Sequence, residues 1–260
     1  MGRSSHLLGF VFLMFASSCF ALVIFLSQFH LVDPPVILKK PDFSQFEDSD
    51  ARKQAFFDFL TPMIQDQNQR ILAMRGRLQM IHEEYQQYGN FSPRSSHYIQ
   101  QLTRSYRFDD EELTTEQQLD RLLRRVDIIP LPLALAQAAS ESGWGSSRFA
   151  QEANNFFGQW CYVEGCGVVP NQRPTGATHE VAKFANVRES INSYFYNINT
   201  YEAYQELRNR RQQVREAGGE PRSEDLIPTL LNYSERRGAY LDDLRQIIRV
   251  NELNRLESSE

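Results

Sequence analysis

Ala138-Ala139-Ser140-Glu141-Ser142-Gly143-Trp144-Gly145 closes an apolar, alanine-rich run that begins near Pro132. Leu133, Ala134, Leu135, Ala136, Ala138 and Ala139 are apolar, and only Gln137 interrupts them. A helix that is apolar almost all round is a buried helix. Pro132 suits the first turn, where its missing N–H is not needed. Gly143 and Gly145 suit the end. The spacing therefore predicts a core helix with Glu141 in its last turn and Trp144 close by.

Three effects act on the Glu141 carboxylate in one direction. Burial disfavours the anion, and an indole nearby removes water. The C-terminal end of a helix carries partial negative charge, which also disfavours an anion. All three raise the pKa, and a carboxyl kept protonated near neutral pH can act as a general acid. A Glu set against a Trp is how lysozyme raises its acid. The local sequence is equally compatible with a Glu that caps or ion-pairs at a helix end.

The run from Ala138 to Ser147 resembles the signature of the bacterial glucosaminidase family, glycoside hydrolase family 73. Asn154-Asn155-Phe156-Phe157-Gly158 is similar to that family's Asn-Leu-Phe-Gly element, with Asn155, Phe157 and Gly158 at matching positions. Ala182-Lys183-Phe184, Glu189-Ser190-Ile191, Tyr194, Tyr233-Ser234 and Tyr240 follow in the family's order. The resemblance extends from near Arg52 to near Val250.

What the resemblance implies is a mainly α (α+β) chain with a lysozyme-like domain and a small β lobe. Such an enzyme cleaves the β-1,4 bond next to N-acetylglucosamine in peptidoglycan. Glu141 would protonate the leaving oxygen, without metal or cofactor. Tyr233 would orient the substrate's acetamido group, or simply line the groove. Trp144, Asn155, Phe157, Trp160, Tyr194 and Tyr240 are the expected substrate contacts. Asn155 is open to two readings, a bond to the acetamido group or a loop-fixing amide. Trp160 stands where the family often has Lys, and its indole could stack on a sugar or pack. A second carboxylate is expected near the β lobe. Glu164 and Glu180 are candidates, neither on a family motif, and substrate assistance is the alternative. A lytic transglycosylase on the same fold and a non-catalytic wall-binding protein are the rival readings.

At 260 residues the chain can hold one ordinary domain plus an appendage. A formal charge of −5 argues against a nucleic-acid binder, which usually shows a basic face. Carbohydrate would be held by aromatic stacking and hydrogen bonds. His6, His30, His82, His97 and His179 are scattered and form no metal-ligand spacing. Cys161 and Cys166 read as a disulfide if the protein is exported, shaping a loop over the groove.

Export is what the N-terminus suggests. Leu7 to Leu26 carries no charge and is long enough to cross a bilayer as a helix. Arg3 before it favours an N-in orientation. The expectation is a single-pass anchor in the inner membrane, with the domain in the periplasm. A cleaved signal peptide, or a lipoprotein signal with Cys19 lipidated, would deliver it to the same side. The layout expected is an anchor over 1–29, a tether over 30–51, a helical appendage over 52–127 and the lysozyme-like domain over 128–253.

Within the appendage, Pro62 predicts a helix break or a start near Thr61, then one long amphipathic helix to Tyr88. Ser95–Tyr106 and Thr115–Arg125 read as shorter helices. Farther on, Ser146–Glu152 reads as a short helix and Gly167–Phe184 as irregular chain with a small hairpin. Glu189 to about Leu207 reads as one helix, with Tyr201 and Tyr204 able to line the cleft. The charged run Arg208–Arg215 reads as a solvated face. A helical pair, Ser223–Leu231 and Tyr240–Leu253, closes the chain.

Overall fold

The computed structural model describes residues 39–108, 112–171, 173, 176, 178–231, 233–234 and 236–257. The N-terminal apolar run and Cys19, on which the membrane and lipoprotein expectations rest, lie outside them. No helix among the described residues is long and apolar enough to cross a membrane.

Helix α1 spans Ser49–Tyr88, 40 residues, or about 60 Å at 1.5 Å per residue. Asp48 caps its start, and Gly89, at a φ of 68°, ends it by donating to Tyr85 O. The expected break at Pro62 does not occur: the helix runs straight through it. A proline inside a helix costs about 3 kcal/mol. Phe56, Phe59, Leu60, Met63 and Ile64, all buried around it, outweigh that cost.

Helix α2, Pro93–Ser105, starts on a Ser92 cap. Helix α3, Thr115–Arg125, starts on a Thr114–Gln117 capping box. Helix α4, Leu131–Ser142, is the predicted core helix, buried at every position from Leu131 to Ala139. It packs against α1 and against the last helix of the chain. Asn68 of α1 holds its approach, donating to Ile129 O and accepting from Ile129 N. Helix α5, Arg148–Ala153, follows a Ser147 cap.

The β lobe is a sheet of three short strands, β1 (Trp160–Cys161), β2 (Gly167–Val168) and β3 (Glu180–Ala182). Its order is β1-β3-β2, with both pairings antiparallel. Trp160 faces Val181, and Gly167 faces Ala182. Gly167 has to be glycine, because a Cβ there would collide with Val181 O at 1.9 Å.

The helix expected from Glu189 to about Leu207 is divided. Helix α6 spans Val187–Thr200, a 3-10 turn spans Glu202–Tyr204, and helix α7 spans Gln205–Glu216. Tyr201 is extended between them. Arg208 explains the division: its guanidinium donates to Ile198 O and Tyr201 O, satisfying carbonyls at the end of α6. The reading of Arg208–Arg215 as a solvated face is thereby corrected, since Arg208 and Arg211 are buried. Arg211 donates to Asp127 O, Ile128 O, Arg124 O and Asn199 Oδ1. Helix α8 (Ser223–Leu226) runs into a 3-10 turn, Ile227–Leu230. Helix α9 (Gly238–Val250) and a 3-10 turn, Leu253–Glu257, complete the described chain.

The segment expected as a tether is packed from Lys40 onward. The Lys40 ammonium donates to Ala150 O, Gln151 O and Asn154 Oδ1 at the end of α5. Phe43 is wholly buried among Phe56, Phe59 and Phe156. A single apolar core runs through α1 to α4 and on through α9. Among the described residues the chain is mainly helical with one small sheet, which fits the mainly α, lysozyme-like part of the fold class expected; the membrane helix expected before it lies outside them.

Candidate active site

Helix α4 ends in a turn of unusual backbone. Gly143, Trp144 and Gly145 all have positive φ, at 56°, 58° and 75°. Ser142, buried, organises the turn: its hydroxyl donates to Ala138 O and accepts from Gly145 N. Glycine is required at 145 for a second reason, since a Cβ would stand 2.4 Å from the Phe43 ring.

Glu141, one residue before the end of α4, opens into a groove of ≈ 650 Å³. Phe157, Gly158, Tyr194, Tyr204 and Tyr233 surround it; Trp160, Cys161, Tyr162 and Tyr201 continue the wall. Glu141 is the only carboxylate lining this groove among the described residues. Burial raises its carboxyl above the ordinary value of 4.5, against smaller opposing effects from a Tyr240 hydrogen bond and the charge of Arg236. Its position near the C-terminus of α4 acts in the same direction as burial.

The loop Asn155–Gln159 forms the floor. Asn155 is buried and fully engaged: its amide donates to Gln159 O and Ala182 O, and its carbonyl accepts from Phe157 N and Gln159 N. Of its two readings, the structure provides the loop-fixing one. Gly158, at a φ of 63°, lets the chain pass directly against the Glu141 carboxylate.

The other expected site residues are placed differently from one another. Phe157 and Tyr194 stack at 4.0 Å and form a floor that is nearly all core. Trp160 is half-exposed on the wall, with its ring edge-on to His179. Tyr233 lines the groove, donates to Phe157 O and stacks on Tyr240 at 5.4 Å. Tyr240 is buried behind the wall, stacked on Tyr233 and accepting from Gln137 Nε2 at 3.1 Å.

Trp144 is not brought into the groove. Its indole packs edge-on to Phe56 and Phe57 of α1, with the Lys53 ammonium above it. It lines a smaller cavity of ≈ 250 Å³ with Ser140, separate from the groove that Glu141 lines. The left-handed turn at Gly143 and Trp144 sends the indole there. The apolar surroundings of Glu141 therefore come from the tyrosines and Phe157.

Cys161 and Cys166 are joined by a disulfide. Of the two candidate second carboxylates, Glu164 is exposed. Glu180 is buried on β3. Its carboxylate accepts from Gly165 N and Gly167 N, which hold it below the usual carboxylate range. Neither lines the groove. Glu180 instead clamps the disulfide loop to the sheet.

Tyr201 and Tyr204 do line it. Burial pushes the Tyr204 hydroxyl up to about 12, with the Glu141 charge adding to the effect. Gln137 escaped the sequence reading. It is wholly buried and bonded to Tyr194 and Tyr240. Its signal was plain enough: the one polar residue in an apolar run, one helical turn before Glu141.

Comparison with known proteins bears on this site. The profile of the glucosaminidase family, described as mannosyl-glycoprotein endo-beta-N-acetylglucosaminidase, matches residues 116–253. Protein bax of Escherichia coli (strain K12) is 34% identical over 200 residues, which cover 77% of this chain and 70% of that protein. No solved structure matches the chain.

Proposed function

The chain belongs to the glucosaminidase family, and from that premise we propose that it hydrolyses the β-1,4 bond next to N-acetylglucosamine in peptidoglycan. Glu141 is the general acid in this reading. One observation carries it: the one carboxyl that lines the groove among the described residues, raised by burial, in an open groove walled by aromatic rings. A raised pKa keeps the acid form available near neutral pH. Trp160, Tyr162 and Tyr201 offer faces on which sugar rings stack.

The step follows from the geometry. Glu141 gives its proton to the glycosidic oxygen as that bond to the anomeric carbon breaks. Enzymes that use two carboxylates place them roughly 5–10 Å apart. In this reading the acetamido oxygen of the substrate attacks the anomeric carbon as the bond breaks. Water then opens the resulting ring, returning a proton to Glu141. Tyr233, whose hydroxyl burial keeps protonated, orients the acetamido group. We place the domain in the periplasm, held by the N-terminal apolar run, a location in which the Cys161–Cys166 disulfide persists.

The same acid also suits a lytic transglycosylase, in which the sugar's own hydroxyl displaces the leaving group. Digestion of purified peptidoglycan by the full-length protein, beside Glu141→Gln and read by mass spectrometry, separates the readings. Products with reducing-end N-acetylglucosamine that vanish in the variant are expected. Anhydro-muramyl products would move the assignment to transglycosylase. Equal digestion by the variant, or none by either protein, would sink the proposal.

A further inference from the structure

Asn197, near the end of α6, lines the same groove as Glu141. Its side-chain nitrogen donates to Gln159 Oε1 at 2.9 Å. Gln159 Nε2 in turn donates to the Ser190 carbonyl at 2.9 Å. Ser190 and Asn197 both belong to α6, so Gln159 reaches from the floor loop and bridges two turns of that helix. Gln159 and Ser190 are buried.

The direction of these bonds is fixed at Ser190. A backbone carbonyl can only accept. Turning the Gln159 amide over would bury its oxygen against the Ser190 oxygen with no proton between them, which is costly. Gln159 Oε1 therefore faces Asn197, and Asn197 must answer with its NH2 group. What remains is Asn197 Oδ1. It has no hydrogen-bond partner among the described residues, yet it is not sealed from solvent.

The chemistry of that oxygen narrows what it takes. Hydroxyls on the groove, such as those of Ser193 and Tyr204, can give or take a proton, and so suit the hydroxyls of a sugar. An amide N–H can only give one. It calls for an oxygen that carries no proton. Among the described side chains of the groove, Glu141, Gln159 and Asn197 hold such oxygens. Gln159 Oε1 is already taken by Asn197, and Glu141 is occupied with the transferable proton.

We propose that Asn197 reads the 2-acetamido group of a sugar in the groove, its Oδ1 accepting from the acetamido N–H. Gln159 is the positioning residue that turns the Asn197 amide. The inference rests on the reading of the groove as a glycan site, and it names the substituent by which that site selects N-acetylated rings.

The test measures binding by calorimetry to full-length Glu141→Gln, in which, on the reading above, the glycan is held without being cut. Two ligands are compared. One is the β-1,4 tetramer of N-acetylglucosamine. The other is the same tetramer with each acetamide replaced by an acetate ester, so that an oxygen stands in place of the N–H. A site built to bond an N–H rejects an analogue that lacks it. The parent should prefer the amide by roughly tenfold or more. Adding Asn197→Leu should bring the ratio to within about twofold, by weakening the amide while leaving the ester nearly unchanged. Should Asn197→Leu not fold, Asn197→Ala leaves room for a water to serve Gln159 and carries the same expectation.

Equal affinity of the parent for the two tetramers, or no binding of either, overturns the proposal. So does a preference that survives the loss of Asn197, or a loss of affinity for both ligands alike, which is what a merely structural role would give. If the wild type leaves peptidoglycan intact while the preference and its dependence on Asn197 persist, the acetamido reading stands and the hydrolase reading falls.

Discussion

A Cβ placed on Gly158 would stand 3.1 Å from Oε2 of Glu141, on a backbone held at a φ of 63°. Gly158→Ala therefore meets two obstacles, left-handed strain of about 1–2 kcal/mol and a methyl against the acid. The expected result is a folded protein with a modest fall in thermal midpoint. Its kcat on peptidoglycan should drop at least tenfold. A variant with wild-type kcat would show that this contact does not govern the acid.

Glu141→Gln should abolish product formation and leave the protein more stable at neutral pH. Its folded pKa is raised above the ordinary 4.5, so the folded state binds its proton more tightly than the unfolded chain. Stability from this group is full below about pH 4 and is lost as pH rises through the folded pKa. The thermal midpoints of variant and wild type should coincide in acid and diverge, variant higher, toward neutrality. Curves that run parallel would contradict the raised pKa.

Asp127 responds to pH in the opposite sense. Burial pushes its carboxyl up, but Arg211, Arg75 and Arg215 outweigh that effect and hold it below its ordinary 3.8. Its contribution is present above that value and is lost as pH falls through the folded pKa. Asp127→Asn leaves three guanidinium groups from α1 and α7 without their shared anion. A loss of roughly 3–5 kcal/mol is expected in urea unfolding at neutral pH. A loss under 1 kcal/mol would refute the role assigned to this cluster.

Gly145→Ala tests the packing behind the site. The added methyl would stand 2.4 Å from the Phe43 ring, at a φ of 75°. Strain and overpacking together should cost about 2–5 kcal/mol, measured by denaturant titration. Gly89→Ala, with φ also positive but nothing within 4 Å, should cost only the strain, about 1–2 kcal/mol. Equal losses at the two positions would show that the Phe43 contact yields freely.

The sequence made α4 legible because its apolar run, its proline and its glycines all speak of one helix. The place of Glu141 in the last turn followed from the same pattern. The Cys161–Cys166 pairing followed from spacing and the export expected of the chain. Where the reading departed from the structure, a distant partner decided the outcome. Pro62 stays helical because its aromatic neighbours are buried. Arg208 and Arg211 look like surface cations until the carbonyls of α6 and of the segment before α4 are brought beside them. Trp144 sits two residues from Ser142 in a turn whose hand determines which side of α4 it faces, and no periodicity encodes that hand. Gln137 was visible as an anomaly, but only Tyr194 and Tyr240, far along the chain, give it a purpose.

Asn155, Gln159 and Ser190 satisfy one another and the backbone around them, while the rings of Trp160 and Tyr201 meet His179 and Arg107 at the surface, and Trp160, Tyr162 and Tyr201 stand 49%, 75% and 44% exposed. The site is thus divided into a foundation that tolerates little change and a periphery open to variation. For protein engineering this separates two tasks. Saturation libraries at the three peripheral positions can explore new glycan preferences without endangering the fold, whereas diversity introduced at 155, 159 or 190 would mostly yield unfolded chains.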